Sequence, residues 1–95
     1  LGKIDGQLVG AFGDMSSFSF ETKKHLSTGE GGIVSTNNKN LATCIRKHGG
    51  LGYKTLSEGA GLRAILPRQF QDPDYKRHEI LGWNYRMPYY DFFLG

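Results

Sequence analysis

The stretch FSFETKKHLSTGEGG, Phe18 to Gly32, sets an aromatic-Ser-aromatic triplet, two adjacent lysines and a glycine cluster within fifteen residues. Met15–Phe20 is rich in strand formers and predicts a strand. Gly32–Thr36 (GIVST) predicts a second one, closed by the turn residues Asn37-Asn38. Residues 21–32 between them read as a loop. A solvated surface patch would account for Lys23 and Lys24. The alternative is chemical: a lysine just past a strand end can enter a cleft where burial leaves its amine neutral and nucleophilic. Schiff-base formation with a carbonyl cofactor requires such an amine. Ser19 can hydrogen-bond a phosphate, and the glycines at 29, 31 and 32 let the backbone pass close to a flat ligand. Spacing alone leaves both readings open.

Working outward, the N-terminal side carries Asp5-Gly6 between short apolar runs, a hairpin turn signal. On the other side, Leu41, Cys44, Ile45 and His48 fall at i, i+3, i+4 and i+7, which predicts a helix over 39–48. Asn38 or Asn40 can cap it. Arg46 and Lys47 complement the dipole of its last turn, and Gly49-Gly50 ends it. Cys44 then lies on the apolar face as a packing residue. Residues 49–82 lose periodicity and read as a long functional loop. The chain closes on WNYRMPYYDFFLG (Trp83–Gly95), with six aromatics in thirteen residues. The order is β–loop–β–α–long loop–aromatic segment, an α/β slice without an evident closed core.

Composition narrows the function classes. The 95 residues hold 14 Gly, about twice average usage, without a period. Twelve Lys+Arg against nine Asp+Glu give a net charge of +3, and the basic residues are scattered among acids. No single basic stripe of the nucleic-acid-binding kind results. Cys44 is the one cysteine, so no internal disulfide forms, which fits a reducing compartment. The opening LGKIDGQLVG is too polar for a signal peptide, and no apolar run approaches the ~18 residues of a membrane span. A cytoplasmic location follows as the expectation. The chain starts without Met and stops at Asp91-Phe-Phe-Leu-Gly95, so it is expected to be a piece of a longer protein, cut at both ends.

GDMSSFSFETKKHLSTGEGGIVSTNN (Gly13–Asn38) closely resembles the active-site segment of the DegT/DnrJ/StrS sugar aminotransferases, pyridoxal-phosphate enzymes. The pattern G-D-x-x-x-F-S-F-x-x-x-K-x-[ILM]-x-x-G-[ED]-G-G is met by Gly13, Asp14, Phe18, Ser19, Phe20, Lys24, Leu26, Gly29, Glu30, Gly31 and Gly32. Farther on, Arg46–Gly50 (RKHGG) looks like the family's basic helix end, and Gly82–Met87 (GWNYRM) is similar to its Gly-x-Asn-Tyr-Arg-Met signature.

The resemblance implies an aspartate-aminotransferase-like fold (fold type I), with residues 1–95 forming part of the large cofactor-binding domain. It makes Lys24, not Lys23, the Schiff-base lysine. Ser19 would bind the cofactor phosphate, and Asn84 would reach the phosphate of the neighbouring subunit's cofactor, giving a homodimer with a shared active site. The implied reaction moves an amino group from glutamate or glutamine to a keto sugar, nucleotide-linked, for polysaccharide or antibiotic sugars. Arg86 is a candidate for a carboxylate or nucleotide phosphate, or equally for a structural salt bridge. Glu30 reads as ordering its loop only. His25 and His48 lack a second ligand at useful spacing, so no metal site is expected. Related sugar 3-dehydratases resemble the family with His in place of the lysine, and Lys at position 24 argues against that branch. A small basic binding module that folds alone is the reading from a different class.

Two features depart from the family. PYYDFFLG (Pro88–Gly95) stands where small residues usually follow Asn-Tyr-Arg-Met. The Asp that pairs with the pyridinium nitrogen would belong to a segment before Leu1.

Overall fold

A computed structural model describes residues 2–59 and 67–87. These fall into two compact units, residues 2–38 with Met87, and residues 39–59 with 67–86. The described elements are β1 (Lys3–Ile4), β2 (Gln7–Leu8), β3 (Ser16–Ser19), β4 (Gly32–Ser35), α1 (Lys39–Gly49) and α2 (Pro67–Phe70).

In the first unit β1 and β2 pair antiparallel, Lys3 opposite Leu8 and Ile4 opposite Gln7. Asp5 and Gly6 between them both have positive φ, 48° and 81°. That is the backbone of a type I′ turn, whose twist matches the flanking strands, and Asp-Gly adopts it at little cost. The turn expected from the dipeptide is therefore present.

β3 and β4 form a second antiparallel hairpin with Phe18 opposite Ile33 and Ser19 opposite Gly32. The expected strands near 15–20 and 32–36 are thus found at 16–19 and 32–35. The ladder runs one step further, since Phe20 N donates to Gly31 O at 2.9 Å. Gly32 is needed for this close pairing: a Cβ there would stand 2.7 Å from the Phe18 carbonyl oxygen. Phe18, Ile33 and Val34 are nonetheless exposed. A two-stranded ribbon has no interior of its own.

In the second unit α1 starts at Lys39, so Asn38 stands at the N-cap position and Asn40 lies inside the helix. Arg46, Lys47 and His48 occupy the last turn. The helix runs one residue past its expected end, through Gly49. The left-handed residue that turns the chain away is Leu51 (φ 64°), followed by Gly52 (φ 73°). Gly50 has another role: a Cβ on it would meet the Arg46 carbonyl oxygen at 2.6 Å. Cys44, expected as a packing residue, is exposed, and its Sγ lies 3.6 Å from His48 Nδ1 one turn on. Leu41 and Ile45 carry the half-buried side of the helix instead.

Over its described residues the long loop expected at 50–82 is irregular apart from the short helix α2, but it is not slack. Lys54 N donates to Arg77 O and Glu79 N to Gly52 O, at 3.0 and 2.8 Å. Tyr53 and His78 stack at 4.8 Å, Lys54 Nζ sits 4.1 Å above the Tyr75 ring, and Lys47 pairs with Glu79. Leu56, 9% exposed, is the buried hydrophobic residue among those described. One stretch of the loop thus finds its backbone partners in the other, as buried or half-buried peptide groups must.

Candidate active-site segments

The lysine pair sits in a turn organised by Glu21. Ser19 ends β3, and Glu21 N donates to Ser19 Oγ at 3.2 Å. The carbonyl of Glu21 accepts from Lys24 N at 3.0 Å. Its carboxylate accepts from the Thr22 hydroxyl at 2.6 Å and from Lys23 N at 3.1 Å. These bonds, the Thr22 hydroxyl first, together with the nearby Lys24 ammonium, hold the Glu21 carboxyl below its ordinary range. Both lysine side chains are exposed.

The far side of the loop is clamped to the strand end. Phe20 O accepts from Thr28 N at 3.0 Å and from Ser27 Oγ at 3.1 Å. Gly29 N returns to Ser27 Oγ, and Thr28 Oγ1 donates to Glu30 O at 2.7 Å. Thr28 is only 4% exposed. The expected role of Glu30 in ordering its loop is carried by its carbonyl. Gly29 and Gly31 have φ of 87° and 124°, values L side chains rarely adopt. Glu21, Ser27 and Thr28 were not singled out from the sequence. For Ser27 and Thr28 residue type was the available signal, since short hydroxyl side chains in loops bond neighbouring backbone.

The other two predicted residues lie in the second unit, where the Gly-Trp-Asn-Tyr-Arg segment docks on the end of α1. Trp83 N donates to His48 O at 2.6 Å and Tyr85 N to Gly49 O at 3.0 Å, while Leu51 N donates to Trp83 O. Lys47 O accepts from Gly50 N and Gly52 N. The last carbonyls of the helix, which have no partner inside it, are thereby satisfied. Asn84, between the two anchored residues, forms a bridge with Gly50 and is exposed. Its Oδ1 accepts from Arg86 N and Nε, at 3.3 and 3.1 Å. Among the described residues no acceptor takes the Nδ2 hydrogens of Asn84. Among the described residues Arg86 is held by this amide, not by a carboxylate.

The same unit as Lys24 also holds a cavity of roughly 530 Å3, lined by Gly10, Asp14, Ser16, Ser35, Thr36 and Asn38 among others. Thr36 Oγ1 donates to Asp14 O at 2.6 Å on its wall. Neither Ser19 nor Lys24 lines it. Among the described residues no group of three or more His, Cys, Asp or Glu is placed to hold a metal ion. No helix among them is long and apolar enough to cross a membrane.

Comparison with known proteins adds the identity of the pattern. The model of the DegT/DnrJ/EryC1/StrS aminotransferase family matches residues 2–91. A GDP-perosamine synthase of Escherichia coli O157:H7 is 38% identical over 85 residues, 90% of this chain and 19% of that protein. A GDP-perosamine synthase of Caulobacter vibrioides is 35% identical over 83 residues, 86% of this chain and 18% of the relative. A UDP-4-amino-4,6-dideoxy-N-acetyl-beta-L-altrosamine transaminase of Campylobacter jejuni is also 35% identical, over 85 residues, 86% of this chain and 18% of the relative. The chain therefore spans about a fifth of the length of these relatives. No solved structure matches it. A family match of this extent sets aside the small basic binding module.

Proposed function

Because this chain belongs to the DegT/DnrJ/EryC1/StrS aminotransferase family, we propose that it supplies the cofactor-anchoring segment of a pyridoxal-phosphate sugar aminotransferase of fold type I. The substrate is a nucleotide-linked keto sugar, a reading supported by the GDP- and UDP-linked sugars in the relatives' names, and glutamate or glutamine is the donor. The enzyme acts as a homodimer with a shared active site, in the cytoplasm.

The observation that carries the reading is the convergence of Ser19 and Lys24 on one residue of the turn after β3. Glu21 N–H occupies an acceptor position on Ser19 Oγ. The Ser19 hydroxyl hydrogen is left to point elsewhere, as a phosphate oxygen requires. Lys24 is exposed, three residues past Glu21. Its Nζ would hold the cofactor's carbonyl carbon covalently. Once released, that same amine would move the proton between the substrate carbon and the cofactor carbon, a general acid–base role. Bound pyridoxal phosphate supplies the electron sink for the carbanion. Asn84, with its Nδ2 hydrogens uncommitted, would donate to the phosphate in the partner subunit's site. Arg86 orients that amide through its Nε, and on this exposed residue the rest of the guanidinium would bind an anionic part of the substrate.

The test is reductive trapping in the enzyme carrying this chain: loading with pyridoxal phosphate, reduction with borohydride and peptide mapping by mass spectrometry. Attachment at Lys24 is expected. Attachment at Lys23, or at neither lysine, would overturn the assignment.

A further inference from the structure

Two adjacent lysines on long flexible stems can each sweep the same few ångströms of space, so the backbone alone must decide which one serves the site. We propose that Glu21 is the positioning residue that makes this choice, holding Lys24 in register with Ser19 and keeping Lys23 out. This rests on Lys24 being the cofactor lysine.

The geometry is specific to Glu21. Its N–H binds Ser19 Oγ, its carbonyl binds Lys24 N–H, and its two carboxylate oxygens separately take the Thr22 hydroxyl and Lys23 N–H. Successive amides of the lysine pair are therefore committed to one residue, Lys23 to its side chain and Lys24 to its main chain. A shift of register by one residue would break both bonds and leave the carboxylate without its backbone donor. Ser19 belongs to β3, fixed by its pairing with Gly32. The chain from strand to lysine is thus a short series of hydrogen bonds that all pass through Glu21. Two of the four depend on a carboxylate of this length, and bonds to a charged acceptor are stronger than neutral ones. Alanine keeps the main-chain pair and loses the other two. Glutamine can still accept Lys23 N–H on its oxygen and donate its amide to the Thr22 hydroxyl, but without the charge that strengthens both bonds.

The experiment compares the parent enzyme with Glu21→Ala and Glu21→Gln, using pyridoxal phosphate and borohydride. The readout is the ratio of Lys23 to Lys24 attachment. Amide hydrogen exchange at Lys23 and Lys24 is followed in the cofactor-free protein as a second readout. In Glu21→Ala the Lys23 share should rise about tenfold, the effect of losing the one of the two carboxylate bonds that holds Lys23 N–H. Exchange at the Lys23 amide should quicken, and Glu21→Gln should fall between the two proteins. Glu21→Gln also serves if the alanine variant does not fold. Parent attachment at Lys24 with an unchanged ratio in both variants would overturn this proposal while leaving the function intact. Attachment elsewhere in the parent would instead overturn the reading on which it rests.

Discussion

The amide oxygen of Asn84 accepts two hydrogens from Arg86, one from the backbone at 3.3 Å and one from Nε at 3.1 Å. This commits the Asn84 amide oxygen, on an exposed residue, to Arg86 and ties the two residues of the Gly-Trp-Asn-Tyr-Arg-Met segment together.

Asn84→Ala should therefore weaken retention of pyridoxal phosphate by about 10- to 100-fold, the range for a lost hydrogen bond to a charged acceptor. Arg86→Lys cannot reproduce the Nε bond and should weaken it less. Cofactor dissociation measured on the two variants checks this, and sizing of the enzyme shows whether the active form is a dimer. Unchanged retention in Asn84→Ala, or an active monomer, would contradict a shared phosphate site.

Gly52 and Gly82 make the tightest backbone approach in the second unit. A Cβ on Gly52 would enter the Ile80 carbonyl oxygen at a φ of 73°, and one on Gly82 would enter the Gly52 nitrogen. Gly52→Ala should cost about 2–5 kcal/mol, from the left-handed backbone and the overlap together. Gly82→Ala should be destabilising through overlap alone. Gly59→Ala meets nothing within 4 Å and should stay within about 0.5 kcal/mol. Denaturant unfolding of the three variants, with amide exchange at Leu51 and Glu79, measures the differences. A silent Gly52→Ala would mean that residues 50–54 do not pack on 77–82 as described.

The Glu21 turn should loosen in acid. Its carboxyl is held below the ordinary value of 4.5 by the Thr22 hydroxyl, then by Lys23 N–H and the Lys24 charge. A carboxyl lowered on folding adds stability above its unfolded value and loses it as pH falls through the folded one. The Lys23 amide resonance should accordingly titrate with a midpoint under 4.5 and should not titrate in Glu21→Gln. A midpoint at or above that value would show that the carboxylate does not hold the turn.

Lys24→Ala should abolish both the visible absorbance of the loaded enzyme and its transamination. Lys24→Arg should do the same, since a guanidinium stays protonated and cannot form the linkage. Lys23→Ala should be almost silent in stability, within about 0.5 kcal/mol for an exposed side chain. Absorbance spectra and turnover of the three variants provide the comparison. Residual turnover in Lys24→Ala would assign the proton transfer to another group.

The sequence by itself determined what depends on near neighbours. The Asp5-Gly6 turn, the β3–β4 hairpin and the α1 periodicity were legible because turn chemistry and side-chain period act over a few residues. The order Phe18, Ser19, Phe20, Lys24, Gly29, Gly31, Gly32 carried the family as well. Which distant backbone groups meet emerged from the folded chain alone. Trp83 and Tyr85 pair with the end of α1, and Lys54 pairs with Arg77, through main-chain N–H and C=O groups that every residue possesses. Such bonds write nothing into the sequence except glycine where two backbones touch, as at Gly52 and Gly82. The role of Glu21 was hidden for another reason. Its side chain binds residues one and two positions away, but a glutamate is not one of the short side chains whose local bonds to backbone can be read from sequence.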